Sequence, residues 1–402
     1  MQAELNIGTM GHVDHGKTTL VHALTGKWTD THSQELKRGI TIKLGYAEFE
    51  VKKCVKCSKL TVDKKCKCGG ETQLVRKVSL VDAPGHETLM ATVIAASSII
   101  DGVLFLIAAN EECPQPQTAE HLMIIEAAGI KNAVVIQNKV DLVSKEQAKK
   151  NYAQIKALLK GSLIENAPII PVVANSSTNF DSLLEAVQEF IPTPVRDEKE
   201  GSGRMMVVRS FDVNKPGSEI SKLNGGVLGG AVIRGKIKAG DEIEILPGFF
   251  RQKQKKETYE PIKTKVVKLH AGKDALDEAG PGGLIAVATL LDPSLSKADS
   301  LVGCLAGPVG SLPPVSHSVT VEVTAMPRLI QKFAPTFAQN EPLVLGAGTS
   351  TTVGFIDWIK KKNVHLVLKK PICVEKGDKI AVMRRSSNRW HVYGTAKVTA
   401  LE

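Results

Sequence analysis

The sequence predicts an α/β domain, with a mostly parallel sheet and helices on both faces, followed by two all-β barrel domains. Up to about residue 195, short apolar runs alternate with helix-like segments, which is the pattern of an open parallel sheet. Beyond that point, short strands rich in Val and Ile are separated by Gly and Pro, with few helical patterns between them. A chain of 402 residues also exceeds one ordinary hydrophobic core, so two or three domains are expected.

The parallel sheet of the first domain is predicted from apolar runs of strand length. A helix is predicted before the last of these runs, because Ser144 and Gln147 form a capping box at its start and Gly161 follows its end. The expected apolar stripe of this helix consists of Ala148, Tyr152, Ile155 and Leu159. The predicted strands are Leu5–Thr9, Val78–Val81, Val103–Ala108, Ala133–Ile136 and Ile169–Val173.

A linker composition follows the first domain, where Ile191-Pro-Thr-Pro leads into the polar run Arg196–Arg204. The pattern of short strands is interrupted again at Gly307–Pro314, which is rich in glycine and proline. We therefore expect domains at residues 1–198, 205–309 and 315–402. The strands expected in the second domain are Met206–Phe211, Gly226–Ile233, Asp241–Ile245, Lys263–Leu269 and Leu284–Ala288.

Composition and charge are those of a folded soluble protein, with 43% apolar residues and 23% charged residues. The net charge of +10 favours a polyanionic partner, although a basic balance alone is unspecific. No stretch approaches the roughly 20 apolar residues of a membrane span, and the N-terminus does not resemble a signal peptide. The expected location is the cytoplasm, and the seven cysteines, an odd number, argue against a complete disulfide framework.

A phosphate-binding loop is predicted at Gly11-His-Val-Asp-His-Gly-Lys-Thr18, which matches the pattern G-x-x-x-x-G-K-[ST]. Its glycines let backbone N–H groups turn toward phosphates at the start of the following helix. Lys17 would place a cation on the phosphates, and Thr18 would offer its hydroxyl to Mg²⁺. A glycine turn with a surface lysine is the structural alternative. The position between a predicted strand and a predicted helix favours phosphate binding.

Two further motifs each follow a predicted strand, as a guanine-nucleotide site requires. In Asp82-Ala-Pro-Gly85, the aspartate can hold a magnesium-bound water and Gly85 can offer its N–H to a γ-phosphate. In Asn138-Lys139-Val-Asp141, a carboxylate can accept two hydrogen bonds from guanine that adenine does not offer. Each motif alone is a modest signal, but the three in this order predict a protein that binds and hydrolyses GTP with Mg²⁺.

These motifs, with Arg38-Gly-Ile-Thr41-Ile and His86 after Gly85, resemble those of the translational GTPases. Trp28–Tyr46, Pro114–Thr118 and Arg209–Gly217 are further similar to the gamma subunits of archaeal and eukaryotic translation initiation factor 2. The resemblance implies a P-loop GTPase domain followed by two β-barrels. It also implies that the protein binds initiator methionyl-tRNA, delivers it to the small ribosomal subunit, and forms a complex with alpha and beta subunits.

The resemblance also implies roles for single residues. His86 is similar to the catalytic histidine that orients the attacking water, and Val13 and Ile40 are similar to the apolar pair beside it. Thr41 is similar to a threonine that reaches Mg²⁺ when γ-phosphate is present, so the expected magnesium ligands are Thr18, Thr41 and Asp82. At the guanine side, Val173-Ala174 replaces the usual Ser-Ala, and only the backbone contact of Ala174 carries over. The expected nucleotide-binding residues are Asp14, His15, Gly16, Lys17, Thr18, Thr19, Gly85, Asn138, Lys139, Asp141 and Ala174.

A cysteine cluster, Cys54-x-x-Cys57 and Cys66-x-Cys68, offers four thiolates among many lysines. Two close pairs on tight turns can hold one tetrahedral structural Zn²⁺, and the translational factors named above often carry such a knuckle in this place. The second pair is one residue shorter than the usual Cys-x-x-Cys. The alternative is a reduced, metal-free loop rich in lysine.

Two other functions stay open at the level of sequence. One is an elongation-type factor that delivers an aminoacyl-tRNA, of the Tu type or of the selenocysteine-specific type. Factors of the Tu type lack the cysteine knuckle. Selenocysteine-specific factors usually have further C-terminal domains. The other is a scaffold whose GTP site only supports structure. The presence of both Thr41 and His86 argues against the scaffold.

Overall fold

The structure is a computed structural model that describes residues 1–29, 44–197, 202–217, 219, 223–253, 256–329, 331–387 and 389–401. It consists of two compact units. One contains Ala3–Pro194 together with Met326–Lys332, and the other contains Met1–Gln2, Val195–Ala325 and Phe333–Glu402. No helix within the described residues is both long enough and apolar enough to cross a membrane.

The first unit is built on a sheet whose described part has seven strands, in the order β3-β2-β4-β1-β5-β6-β7. Neighbours from β4 to β7 are parallel, and within the described strands only β2, near one edge, runs in the opposite direction, antiparallel to both β4 and β3. The five strands predicted from apolar runs are all present, whereas β2 and β3 were not predicted. The strands are β1 Asn6–Met10, β2 Gly45–Cys54, β3 Leu60–Thr61, β4 Thr72–Asp82, β5 Gly102–Ala108, β6 Ala133–Asn138 and β7 Ile169–Pro171.

Helices cover both faces of this sheet, as expected. Central strand β5 is buried along its whole length. Leu104 and Leu106 pack in one cluster with Leu20 and Leu183 from two helices, and Phe105 is fully buried on the other face. The helices are α1 Lys17–Thr25, α2 Met90–Ser97, α3 Pro116–Ala127, α4 Lys145–Leu159 and α5 Phe180–Phe190, with short 3₁₀ turns at Glu87–Leu89, Val140–Leu142 and Ala174–Ser176.

Helix α4 begins as predicted, and two residues of its predicted stripe, Ile155 and Leu159, are buried. Its cap is confirmed, since the Ser144 hydroxyl accepts the Gln147 N–H at 3.2 Å. The predicted stripe is wrong at Tyr152, which is 41% exposed, whereas Asn151 is buried. The Asn151 amide donates to the carbonyls of Ala108 and Glu111, at 3.3 and 2.9 Å, so a polar side chain holds the helix to the end of β5.

The second unit begins with a ring of six strands in the order β11-β16-β8-β9-β15-β12, closed by pairing of β12 with β11. Its apolar core includes Val207, Leu228, Ile245 and Val287. Strands β11 and β12 form a longer hairpin than predicted and contain much of the basic run Arg251–Lys256. The elements are β8 Arg204–Phe211, β9 Val227–Arg234, β10 Ile237–Lys238, β11 Glu242–Lys253, β12 Lys256–Ala271, β13 Asp274–Leu276, β14 Glu278–Ala279, β15 Leu284–Thr289, the short helix α6 Pro293–Ser296 and β16 Leu305–Pro308.

A second closed barrel follows, in the strand order β17-β20-β19-β18-β21-β22. Inward side chains such as Val319, Leu345, Leu366 and Val382 form its core. The predicted fold class, an α/β domain followed by two all-β barrels, is confirmed. The strands are β17 Val315–Ala325, β18 Pro342–Ala347, β19 Ser350–Lys360, β20 Asn363–Cys373, β21 Lys379–Ser386 and β22 Arg389–Leu401.

Candidate functional site

The predicted phosphate loop lies between the end of β1 and the start of α1. Gly11 and Gly16 have φ angles of 139° and 88°, a region that strains residues with a Cβ. A Cβ would lie 2.3 Å from the Leu106 carbonyl oxygen at Gly11, and 2.4 Å from Nδ2 of Asn138 at Gly16. The loop therefore depends on glycine at both ends. Since Gly16 caps α1 without a side chain, the first N–H groups of the helix can bind an anion.

Lys17 places its ammonium between the loop and the turn after β4. Its Nζ donates to the backbone carbonyls of Gly11, at 3.0 Å, and His12, at 2.7 Å. A Cβ on Gly85 would lie 2.4 Å from this Nζ, so the glycine allows the turn to approach the lysine. The structure thus brings together two motifs that are far apart in the sequence.

Asp82 is fully buried at the end of β4, beside Thr9 of β1. Its Oδ1 accepts the Thr9 hydroxyl at 2.6 Å, and its Oδ2 accepts the hydroxyls of Thr18 and Thr29 at 2.9 and 2.7 Å. Hard oxygen donors from Thr18 and Asp82 therefore lie together, and such a donor set fits Mg²⁺. Thr29 was missed at the level of sequence, because a lone threonine carries no motif.

The residues expected to sense γ-phosphate are only partly described. Thr41 and Ile40 lie outside the described residues. His86 follows Gly85 and is partly exposed. Its Nδ1 and the Thr88 hydroxyl form a hydrogen bond of 2.9 Å, which fixes one edge of the imidazole.

Asn138 joins the phosphate loop to the segment after β7. Its amide Nδ2 donates to the His15 carbonyl at 2.9 Å, and its Oδ1 accepts the Ala174 N–H at 3.1 Å. Lys139 follows with a φ of 60°, and Asp141 is exposed in the next short turn. Positions 15, 138 and 174, expected to bind nucleotide, therefore belong to one hydrogen-bonded frame at the carboxyl edge of the sheet.

The side chain of His15 faces the protein interior, so only its backbone contributes to the loop surface. Its Nδ1 lies 3.0 Å from the Leu106 carbonyl oxygen, and its Nε2 lies 3.3 Å from Oε2 of Glu111. Burial lowers the pKa of His15 to about 4, even though the Leu106 carbonyl and Glu111 favour the protonated form. Burial also lowers the pKa of His12. Both imidazoles are therefore neutral near pH 7, and Lys17 supplies the positive charge of the loop.

The other two candidates in this region differ in exposure. Asp14 is exposed at the tip of the loop, whereas Thr19 is partly buried in the first turn of α1. Both positions lie beside the helix N-terminus, where an anionic group would bind.

The four predicted cysteines converge at the junction of β2 and β4. Their Sγ atoms all lie within 4.8 Å of one another, and the pairs Cys54–Cys68, Cys57–Cys66 and Cys57–Cys68 are each 3.5 Å apart. Tetrahedral Zn²⁺ with bonds of about 2.3 Å requires sulfur atoms about 3.8 Å apart, so the cluster fits zinc. The short Cys-x-Cys spacing does not prevent convergence.

The local backbone favours the thiolate at Cys54, whereas the hydrogen bond with the Cys68 thiol raises the pKa of Cys57 to about 12. Hydrogen bonds from the backbone of Cys57 and Lys56 lower the pKa of Cys54 to about 6. A Cβ at Gly70 would lie 2.8 Å from Sγ of Cys54, so the turn requires glycine there. Lys59 reaches Asp181 of α5 at 2.8 Å and ties the knuckle to the domain.

Family models match most of the chain. The model described as elongation factor Tu GTP binding domain matches residues 2–193, and elongation factor Tu domain 2 matches residues 225–303. The model described as initiation factor eIF2 gamma, C terminal, matches residues 317–398.

Curated relatives are similar over almost their whole length. Translation initiation factor 2 subunit gamma of Methanococcus vannielii is 53% identical over 401 residues, which is 98% of each chain. The proteins of the same name from Methanocaldococcus jannaschii and Pyrococcus horikoshii are 51% and 49% identical, over 98% of this chain and 97% of theirs.

Solved structures share the fold at lower identity. A bacterial selenocysteine-specific elongation factor, EF-Sec, is 25% identical with a TM-score of 0.76, and this chain spans 59% of its length. The elongation factor SelB of Methanococcus maripaludis is 21% identical with a TM-score of 0.74, and the match covers all of this chain and 80% of that one.

We predict that Asn138→Ala lowers both the melting temperature and GDP affinity. The substitution breaks two buried hydrogen bonds and leaves the His15 carbonyl and the Ala174 N–H unpaired, at a cost of about 1–3 kcal/mol per group. GDP affinity should fall by about tenfold or more, measured by calorimetry on protein that is still folded. Asn132→Ala, at the opposite end of β6, is the matched control. Equal GDP affinity in both variants would contradict the bridging role of Asn138.

Proposed function

The chain belongs to the gamma-subunit family of translation initiation factor 2, and we propose that it carries initiator methionyl-tRNA to the small ribosomal subunit with GTP hydrolysis as its switch. As a member of this family it is a translational GTPase, which converts GTP to GDP and phosphate. The observation that supports the switch is the meeting of three motif loops at one edge of the sheet. Lys17, the buried carboxylate of Asp82 and the Asn138 frame lie together there.

We assign the phosphate side of the site to the loop and the first turn of α1. Backbone N–H groups and Lys17 offset the phosphate charge, and the Gly85 N–H faces the terminal phosphate. The residues assigned to phosphate are Asp14, His15, Gly16, Lys17, Thr18, Thr19 and Gly85. Thr18, Thr41 and Asp82 would hold Mg²⁺, which supplies positive charge against the phosphate oxygens.

We assign the base side of the site to Asn138, Lys139, Asp141 and Ala174. The exposed carboxylate of Asp141 accepts the guanine N1 and N2 hydrogens, a pair of donors that adenine lacks. Asn138 holds the backbone of His15 and of Ala174 in place through its two buried hydrogen bonds. The backbone of Ala174 contributes to the pocket beside it.

Hydrolysis requires a water aligned with the γ-phosphate, and we assign that task to His86. The imidazole follows Gly85 directly, and Thr88 holds its Nδ1, so we assign Nε2 to the water. Alignment of a nucleophile in this way lowers the barrier mainly through orientation.

The proposed partners follow from the family and from charge. Initiator methionyl-tRNA and the small ribosomal subunit are polyanions, which suits a net charge of +10. Alpha and beta subunits would complete a heterotrimer, and the site of action would be the cytoplasm. We propose functional domains at residues 1–198, 205–309 and 315–402, and a structural Zn²⁺ held by Cys54, Cys57, Cys66 and Cys68.

An elongation-type factor is not favoured. The solved elongation factors share the fold with at most a quarter of residues identical, whereas full-length relatives with about half of their residues identical are initiation-factor subunits. The experiments below therefore compare binding of initiator tRNA with binding of elongator tRNA.

We predict that Asp141→Asn weakens GTP binding by about 2–4 kcal/mol, because charge-assisted hydrogen bonds to guanine are lost. Relative affinity for xanthine nucleotides should increase, since an amide can donate to the xanthine oxygen. Competition between GTP, ATP and XTP measures both effects. Glu146→Gln, an exposed carboxylate in α4, is the control, and an unchanged preference for GTP in Asp141→Asn would remove Asp141 from the base pocket.

We predict about one Zn²⁺ per chain in purified protein, the stoichiometry of a single four-cysteine site. Metal analysis after gel filtration should show loss of zinc in Cys54→Ser/Cys57→Ser. Cys373→Ser, which changes a cysteine of the last barrel, should keep it. Wild-type protein that binds nucleotide normally without any metal would rule out the zinc assignment.

We predict that Thr41→Ala and His86→Ala separate tRNA binding from hydrolysis. The wild type, with its partner subunits, should bind initiator methionyl-tRNA better than the elongator form, and better with GTP than with GDP. Thr41→Ala should reduce the advantage of GTP, because a hydroxyl senses γ-phosphate through Mg²⁺. His86→Ala should keep tRNA binding but hydrolyse about 10²-fold more slowly, or slower still.

Filter binding with both tRNAs and single-turnover hydrolysis with ribosomal subunits provide these measurements. His270→Ala, in the first barrel, is the control for loss of a histidine. Equal tRNA affinity with GTP and GDP in the wild type would contradict the switch. Preference for elongator tRNA would favour the elongation-type function.

A further inference from the structure

Thr29 makes a contact that no motif accounts for. Its hydroxyl donates to Oδ2 of Asp82 at 2.7 Å, the same oxygen that accepts the Thr18 hydroxyl at 2.9 Å. A carboxylate oxygen offers about two lone-pair sites, so these two hydroxyls fill Oδ2. Oδ1 already accepts the Thr9 hydroxyl at 2.6 Å.

A second observation is that the backbone beside Asp82 leaves space for the Thr29 side chain. Gly45 is the direct cross-strand partner of Asp82 in the pairing of β2 with β4. A Cβ at Gly45 would lie only 2.4 Å from Cβ of Thr29 and 2.9 Å from its Cγ2. Glycine at this position therefore makes the space in which Thr29 reaches the carboxylate.

We propose that Thr29 is a positioning residue whose hydroxyl competes with Mg²⁺, or with a water of its hydration shell, for Oδ2 of Asp82. The inference rests on the proposed magnesium role of Asp82. Without the ion, the hydroxyl satisfies a buried carboxylate that would otherwise lack one of its partners. An ion held by Asp82 and Thr18 would need that lone pair, so Thr29 is the hydroxyl that would have to release it. Its hydroxyl therefore weakens magnesium binding and stabilises the metal-free state.

The competition has a measurable consequence for nucleotide release. Mg²⁺ held by Thr18 and Asp82 would supply positive charge against the phosphate oxygens, so GDP should leave faster as the Mg²⁺ concentration falls. A protein with a competing hydroxyl needs more Mg²⁺ to retain GDP than one without it. Thr29 thus sets the Mg²⁺ concentration at which GDP becomes easy to exchange.

The test is a Mg²⁺ titration of the dissociation rate of a fluorescent GDP, with the full chain. Thr29→Val keeps the shape and removes the hydroxyl, and it should shift the half-maximal Mg²⁺ concentration downward by about tenfold, the scale of one net hydrogen bond. Thr29→Ser should behave like the wild type. Thr25→Val is the matched control, because that hydroxyl donates to the Val21 carbonyl within α1.

A second readout does not use nucleotide. In EDTA, Thr29→Val should melt below the wild type, since Asp82 loses a partner, and Thr29→Ser should restore the melting temperature. An unshifted titration for Thr29→Val, or an upward shift, would overturn the competition. If GDP release from the wild type itself ignores Mg²⁺ and matches that of Asp82→Asn, the magnesium assignment fails instead, so the two failures are distinguishable.

Discussion

The buried carboxylate of Asp82 is the constraint around which the nucleotide edge of this molecule is arranged. An ionised group removed from water is costly unless hydrogen bonds replace its hydration. Asp82 therefore accepts hydrogen bonds from the hydroxyls of three separate segments: Thr9 on the neighbouring strand, Thr18 on α1, and Thr29 beyond that helix. The parallel pairing of β1 with β4 sets Thr9 opposite Asp82. One charge thus fixes the relative positions of three chain segments.

Around this carboxylate, the loop is arranged so that its positive charge is concentrated. Burial keeps His12 and His15 neutral, while Lys17 sits among backbone carbonyls. Those carbonyls hold the ammonium where phosphate oxygens would replace them as partners. The Asn138 amide extends this frame, without adding charge, to the segment that we assign to the base. The loop therefore combines one cation, held by backbone carbonyls, with neutral imidazole and amide side chains.

The sequence predicted the sheet well where strands are continuously apolar, because full burial leaves a strong pattern. It failed for β2, whose alternation of buried and partly exposed residues follows a segment with no clear periodicity. It also failed at one position of the apolar stripe of α4, Tyr152. Tyr152 is apolar enough to suggest a stripe, yet the helix buries Asn151, whose amide is satisfied by two backbone carbonyls. Hydrogen bonds to distant groups overrode the hydropathy pattern there, and no local signal reveals them.

By itself, the sequence determined the local chemistry of this protein. Glycines at positions 11 and 16, a lysine at the helix start and carboxylates after strands are short-range requirements, readable because spacing fixes their geometry. Only the tertiary structure decided which partners those groups meet. It turned the His15 side chain inward, converged two cysteine pairs of unequal spacing, and set Thr29 against Asp82 across 53 residues of chain. Such contacts arise from strand register and packing, which depend on the whole domain, so no single segment encodes them.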